Sequence, residues 1–472
     1  MDDAPRSPLT VAQEQKQARS FGAGAKILSI GIASTGIVTF GYFTVASHAL
    51  GGDRRYDSIA LLWSILFVIV SVIYRPIEQL HSRTIADRRA RGISGHPLRT
   101  PLMIQAAFAA LFLAVALPLK DRITADVFAG ESLFYWILVG STLAYAASYF
   151  ARGWLAGHER FGLYGLLVFI EATARFAFAL VVAVGIASGA GIVALGIFAA
   201  PCVSLIVIPA AFSRSGDPVH DDASALAPAL DAAIEGGPGA EAAEEAAGDL
   251  SLRHGANFAV AVFGVMLAEQ TLLNGGVLAV TASAGTAAVA GLVFNALLIA
   301  RAPLQLFQAV QTSLLPHLAN LEATGGEEAF SKAIRTTLAA IAGFAACTAL
   351  VFLLAGPWIM TVLFAGSKGI YAGSGLALVA IGMGFHLAAG TLNQAALARG
   401  QAKLAAGAWL LSAALFIAWC LGAEMSDPVT RAELGYAGAT GILMFLLGGL
   451  YRRPRQATES QTGAPAASAI AE

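Results

Sequence analysis

Twelve stretches of predominantly apolar residues recur along this chain. Each is long enough for a helix to cross the roughly 30 Å hydrocarbon layer of a membrane, which takes about 20 residues. They run over residues 26–50, 58–80, 101–119, 132–156, 161–187, 189–212, 255–281, 285–311, 332–355, 372–398, 403–422 and 433–451. Residues 356–365 either extend the ninth stretch or form a short re-entrant piece. In hydrocarbon every backbone N–H and C=O must be satisfied within its own segment, so such stretches are helices. The expected fold class is therefore an all-α polytopic membrane protein of about 12 spans.

Composition narrows the function classes. The chain is 57% hydrophobic and 12% charged, where soluble domains run at about 45–50% and about 25%. That excludes a disordered chain, a nucleic-acid binder, a disulfide-stapled scaffold and a coiled coil. Cys202, Cys347 and Cys420 all lie in apolar stretches without metal-ligand spacing, and are expected to be buried small hydrophobes. There is no Walker A sequence, no Gly-x-Ser-x-Gly and no Cys/His cluster, so neither an ATPase nor a catalytic enzyme is expected, and no cofactor. The 50 glycines include Gly275-Gly276 and Gly382-Met383-Gly384, small residues that allow close helix packing. The first 25 residues are polar and lack the order of a cleaved export signal.

Lys and Arg in the short loops set orientation. With the N-terminus in the cytoplasm, 20 of the 29 basic residues fall in inside segments or at inside span ends, among them Arg83, Arg88, Arg89, Arg91, Arg152, Arg160, Arg399 and Lys403. The outside loops hold six: Arg54, Arg55, Lys120, Arg122, Lys368 and Arg431. Both termini are therefore expected inside.

Residues 213–252 interrupt the pattern with nine acids against one Arg, in an Ala/Gly/Pro-rich setting that reads as a flexible cytoplasmic linker. The chain thus divides into a tail 1–25, six spans over 26–212, the linker 213–252, six spans over 253–452 and a tail 453–472. The halves look like weak repeats. Arg75-Pro76-Ile77-Glu78-Gln79-Leu80 in the second span parallels Arg301-Ala302-Pro303-Leu304-Gln305-Leu306 in the eighth. The turn Gly157-His158-Glu159-Arg160-Phe161 parallels Gly400-Gln401-Ala402-Lys403-Leu404. Six spans per half gives repeats of one orientation, a plan that places a binding cavity between two lobes.

An ionisable group within a span faces a protein interior or a wet cavity and is a functional candidate. Those here are Arg75, Glu78, Glu171, Arg175, Glu269 and Arg301, with softer polar positions at His48, Gln270, Asn274, Asn295, His386, Asn393 and Gln394. Glu171 and Arg175, four apart, share a helix face and are expected to pair. Glu78 is a candidate partner of Arg75. Arg75 and Arg301 sit toward the cytoplasmic interface, where they either snorkel or pack between lobes, or line the cavity. Glu269 carries an ion or a proton, pairs with Arg175 or Arg301, or is simply protonated. For His48 and His386 a helix-packing hydrogen bond is expected.

Three stretches carry a family resemblance: Tyr74 to Leu80, the turn Gly153-Trp154-Leu155-Ala156-Gly157-His158-Glu159-Arg160-Phe161-Gly162-Leu163-Tyr164, and Gln311-Thr312-Ser313-Leu314-Leu315-Pro316-His317-Leu318. Together with the span pattern from about 22 to 452 they resemble bacterial polysaccharide-biosynthesis flippases of the multidrug/oligosaccharidyl-lipid/polysaccharide exporter superfamily. The resemblance implies a MATE-like fold of two six-helix lobes around a cavity opening alternately to either face. It implies movement of a polyprenyl-pyrophosphate-linked oligosaccharide from the inner to the outer leaflet, with glycosyltransferases and a polymerase of the same pathway as partners, in a bacterial cytoplasmic membrane. The cavity role of holding pyrophosphate then falls on Arg75, Arg175 and Arg301. Arg suits it, being a bidentate partner for phosphate. Glu171, Glu269 and Glu78 are left as charge partners or as coupling sites for Na+, H+ or the membrane potential. Peptidoglycan-precursor members of the superfamily usually have two further spans, and the acidic linker has no counterpart in the family pattern. A cation-coupled multidrug exporter and a non-transporting scaffold on the same fold remain alternatives. The orientation is checked by labelling: a Cys replacing Arg122 should react with an impermeant maleimide on intact cells, and one replacing Lys403 only after lysis.

Overall fold

The computed structural model describes residues 30–51, 54–90, 99–213, 260–284, 289–299, 304, 326–399 and 401–452, apart from 32 and 262. Both tails, the linker beyond Ser213, Arg301 and the run Gln311–Leu318 lie outside the described residues.

Helix α1 covers residues 33–49. It is followed by α2 (Arg54–Ala90), α3 (Arg99–Ala116), α4 (Lys120–Asp126), α5 (Ser132–Gly157), α6 (Phe161–Ala183), α7 (Ala190–Ser204) and α8 (Ile208–Ser213). The second half has α9 (Phe263–Ser283), α10 (Ala290–Ile299), α11 (Gly326–Leu363), α12 (Gly373–Ala398), α13 (Ala402–Gly422) and α14 (Pro428–Tyr451). Among the described residues, nine helices are long and apolar enough to cross a membrane, and a bent pair makes a tenth. With α1 and the shorter α10, every one of the twelve expected positions carries helix.

The third position departs from a plain span. Pro118 follows α3 and cannot continue it, so the chain turns through Leu117–Leu119 and restarts as α4, bent by 68° from α3. Residues 356–363 extend the ninth helix rather than re-entering, since α11 continues through Pro357 to Leu363. At 37 residues, α2 is about 55 Å long, so its basic end projects past the hydrocarbon. Helix α14 starts where the sequence signals it: Asp427 accepts from Val429 N at 3.2 Å and Thr430 N at 3.1 Å, with Pro428 in the first turn. The turn between α6 and α7 relies on Gly185 and Gly189, at φ 77° and 100°.

The helices sort into two lobes. In the first, α2 and α7 pack on α5, and α6 packs on α7; in the second, α11 and α14 pack on α12, and α13 packs on α14. The pairs α5–α7 and α12–α14 hold corresponding places in the two halves, as expected of parallel repeats. Small residues bring these helices close. Methyls built on Gly153 and Gly157 of α5 would strike the Glu78 carbonyl oxygen at 2.9 Å and the Ile85 Cβ at 2.7 Å on α2. Between α12 and α14, Gly375 lies against Glu433, Gly382 against Tyr436, and Gly448 against Leu392, so the two run parallel. Helix α12 is central, with 78% of its apolar window buried; α11 has 17% and faces lipid. Cys420 is buried as expected, but Cys202 and Cys347 are exposed on helix faces that lipid would cover.

The lobes meet at the end the loop charges assign to the outside. Tyr56 Oη donates to Asn295 Oδ1 at 2.5 Å, Gly291 N to Asp57 Oδ1 at 3.2 Å and Ala365 N to Ser47 Oγ at 3.0 Å. The rings of Phe43 and Phe294 sit 4.6 Å apart beside these bonds. Gly157→Val should lower the melting temperature of the detergent-solubilised protein by several degrees, since overpacking costs about 1–3 kcal/mol; Gly407→Val, at a position with nothing nearby, should not.

Candidate functional site

Three helices of the first lobe each turn one polar and aromatic stripe inward. On α5 it is Tyr145, Ser148, Tyr149 and Arg152, spaced i, i+3, i+4, i+7; on α6 it is Tyr164, Glu171 and Arg175; on α2 it is Trp63, Phe67 and Glu78, with Arg75 beside it. Helical spacing of three, four or seven keeps such residues on one face. The stripes meet in a polar column within the lobe.

Glu171 does not pair with Arg175. Its Oε2 accepts from Arg152 Nη2 at 2.5 Å and from Ser148 Oγ at 3.1 Å, both across from α5. Arg152, counted from sequence among the cytoplasmic span-end charges, is 8% exposed, and Glu171 is 4% exposed. Arg175 points elsewhere along the column. It donates to Tyr145 Oη at 3.2 Å, and its guanidinium lies 4.3 Å over the Trp63 ring and 5.9 Å from the Tyr42 ring. At 2% exposure it is enclosed by the lobe. Two helical side chains at i and i+4 reach different neighbours because the facing α5 offers a guanidinium to one and a hydroxyl to the other.

Nearer the cytoplasmic end, Glu78 Oε1 accepts from Tyr164 Oη at 2.6 Å and is within electrostatic reach of Arg152 and Arg75. Arg75 is half-buried. Its charge is felt by Glu78, Tyr149 and Tyr164 of its own lobe and by Glu269 of the other. Glu269 is therefore within electrostatic reach of Arg75. It stands one residue before a polar pair in which Asn274 Nδ2 donates to Gln270 Oε1 at 3.0 Å. Residues Thr271–Gly275 there form a π-helical turn inside α9. Such turns are frequent at functional sites because they re-aim side chains without ending the helix.

Of the three arginines, Arg75 and Arg175 meet different partners at different depths. Trp63, the ring under Arg175, precedes Arg75 by 12 residues on α2, about 18 Å along the axis. Arg301 lies outside the described residues. The softer positions are mostly packing contacts: His48 Nδ1 with Thr44 O at 2.9 Å, His386 Nδ1 with Tyr436 Oη at 3.3 Å, and Trp409 Nε1 to Asn393 Oδ1 at 3.1 Å. Asn295 instead joins the lobes. Sequence reasoning missed Arg152, although the i, i+3, i+4, i+7 stripe of α5 marks it. It also missed Asp57, in the first turn of α2, and Glu433, in the second turn of α14, which stand at the edges of the spans expected over 58–80 and 433–451. Among the described residues, no group of three or more His, Cys, Asp or Glu is placed to hold a metal ion.

Among the described residues, the arrangement can hold charge away from water at several depths and brings one guanidinium, Arg75, within electrostatic reach of the other lobe. Breaking the Arg152–Glu171 pair should be costly: Glu171→Ala leaves a buried guanidinium without its carboxylate, at about 3–5 kcal/mol. Thermal melting should show the loss, and the charge-free pair Arg152→Met/Glu171→Leu should regain most of it.

No protein-family model and no curated protein matches the chain. Solved structures do. The chain is similar to the inward-facing conformation of a multidrug resistance MATE family transporter of the MOP superfamily (TM-score 0.63, 12% identity, 90% of this chain and 97% of that one). It is similar to a mutant of the Vibrio cholerae MATE transporter VcmN (0.61, 17%, 92% and 98%). It is also similar to the eukaryotic MATE transporter AtDTX14 (0.61, 14%, 92% and 95%). At such identities the likeness is one of architecture, and over nine-tenths of its length the chain has the fold of MATE transporters.

Proposed function

We propose that this chain is a multi-pass membrane transporter, not an enzyme, that works by alternating access. Its cargo is a polyprenyl-pyrophosphate-linked oligosaccharide, carried from the inner to the outer leaflet of a bacterial cytoplasmic membrane. The fold supports the first statement. The observation that carries the second is the placement of Arg75: a half-buried guanidinium near the cytoplasmic side, within electrostatic reach of both lobes.

A diphosphate entering hydrocarbon needs compensating charge. Arg75 supplies it as a planar, permanently charged donor. In the empty protein Glu269 and Glu78 balance that charge. An arriving pyrophosphate competes with Glu269 for the guanidinium, which frees Glu269 to take up a proton or a small cation. Arg175, sandwiched against Trp63 and Tyr42 with a hydroxyl as its hydrogen-bond partner, adds positive character farther along the path. Glycosyltransferases that build the lipid-linked sugar, and a polymerase that consumes it, are the partners this reading implies.

A second reading rests on Glu269 as an acid beside the interlobe space: a cation-coupled multidrug exporter, one of the similar structures being named a multidrug resistance MATE family transporter. The two are separated by one set of variants. Under the flippase reading, Arg75→Ala lowers flipping of a fluorescent polyprenyl-pyrophosphate sugar in proteoliposomes at least tenfold, Arg75→Lys retains part of it, and cationic dye efflux is absent from the wild type. Sodium- or proton-driven dye efflux by the purified protein, unaffected by Arg75→Ala, would establish the exporter instead.

A further inference from the structure

We propose that Glu433 is a proton-binding site that controls closure of the outer gate. The proposal rests on the alternating-access reading above. Glu433 lies on α14, about 8 Å in from its outer end. It is 3% exposed, and its Oε1 has no hydrogen-bond partner. The carboxyl packs directly on the backbone of α12 at Gly375, where even a methyl group would overlap it.

Among the described residues, the charged and titratable groups around Glu433 give it no counter-ion. Asp427, within electrostatic reach, is also an acid. Arg431, two residues away, is bonded to Ser283 Oγ and to the carbonyls of Cys420 and Met425. Tyr371, at the head of α12, is a neutral hydroxyl. His386 lies farther down α12, against Tyr436. A carboxylate buried with an oxygen unpaired is costly, and binding one proton removes the charge.

Glu433 is also connected to the interlobe bonds. Tyr371 is within electrostatic reach of both Glu433 and Asp57. It donates to Leu292 O at 2.9 Å and is hydrogen-bonded to the Asn295 side chain. Asn295 in turn receives Tyr56 from the first lobe, one residue before Asp57, which accepts from Gly291 N. These are the bonds that close the outer end. When the lobes part there, water reaches this region and the charged carboxylate becomes tolerable; when they close, Glu433 must carry a proton. Low external pH therefore favours the closed outer gate and high pH the open one. With one proton involved, the ratio of closed to open states changes by up to about tenfold per pH unit.

The test places a donor–acceptor dye pair at positions 48 and 368, exposed on the outer ends of the two lobes. The variants are His48→Cys and Lys368→Cys, in protein whose Cys202 and Cys347 are replaced by serine. The interdye distance is followed from pH 5 to 9 in lipid nanodiscs. The expected result is a short distance at low pH that gives way to a longer one as pH rises. Glu433→Gln should hold the short distance at every pH, and Glu433→Asp should keep a titration with a moved midpoint. A Glu433→Gln protein that follows the wild-type curve overturns the proposal, as does a wild-type distance that responds to sodium at fixed pH and not to pH. A wild type holding one distance under every condition, cargo included, overturns the alternating-access reading itself.

Discussion

A charge inside hydrocarbon must find a partner, reach water or lose its charge, and the interior of this protein is organised around that constraint. The first lobe meets it by pairing: Arg152 with Glu171 and Ser148, Glu78 with Tyr164, and Arg175 with a hydroxyl and two aromatic faces. Among the described residues the second lobe has fewer buried charges and meets it differently: Glu269 is within electrostatic reach of Arg75, and no described cation pairs with Glu433. Apart from Arg75 and Asp57, which reach the second lobe, the first lobe is thus internally compensated, and the second holds carboxylates whose charge depends on what the first lobe or the surroundings supply.

That asymmetry suits alternating access. A lobe whose charges are satisfied internally moves as a rigid body, since no internal bond has to break. Charges satisfied across the gap between lobes favour one arrangement over another. Here they lie at two levels: the Arg75–Glu269 relation toward the cytoplasmic side, and the Tyr56–Asn295 and Asp57–Gly291 bonds at the outer end. As proposed, a ligand competing for Arg75 and a proton on Glu433 would act on different levels of the same interface. Each can shift the balance between the closed outer end and an open one only by the difference in its affinity for the two.

Close helix packing makes the scheme possible. Gly153 and Gly157 let α5 lie against α2, which brings Arg152 within electrostatic reach of Glu78, and Gly375 and Gly382 let α14 lie equally close to α12. Without a hydrophobic drive between helices in lipid, shape complementarity of this kind and buried polar contacts hold the lobes together.

Much of this was legible in the chain. Apolar runs of spanning length determined that it is a twelve-helix bundle, because backbone groups in hydrocarbon leave no alternative to helix. The linker and the matching Arg-Pro and Gly-x-x-basic elements predict two like halves, and loop charge predicts an orientation with both termini inside. Even the inward stripe of α5 was visible as spacing. Which charge meets which was not. Glu171 and Arg175 share a face by their spacing of four, yet the partner of each was chosen by what α5 and α2 place opposite. Arg75 and Arg175 look equivalent as intramembrane arginines, yet Arg175 lies over Trp63, which precedes Arg75 by about 18 Å along α2. Asp57 and Glu433 read as span-end charges until the fold closed the outer end over them. Periodicity fixes the face on which a side chain lies, because that depends on its own helix alone; its partner, its depth and its access to water depend on neighbouring helices, and only the tertiary structure sets those.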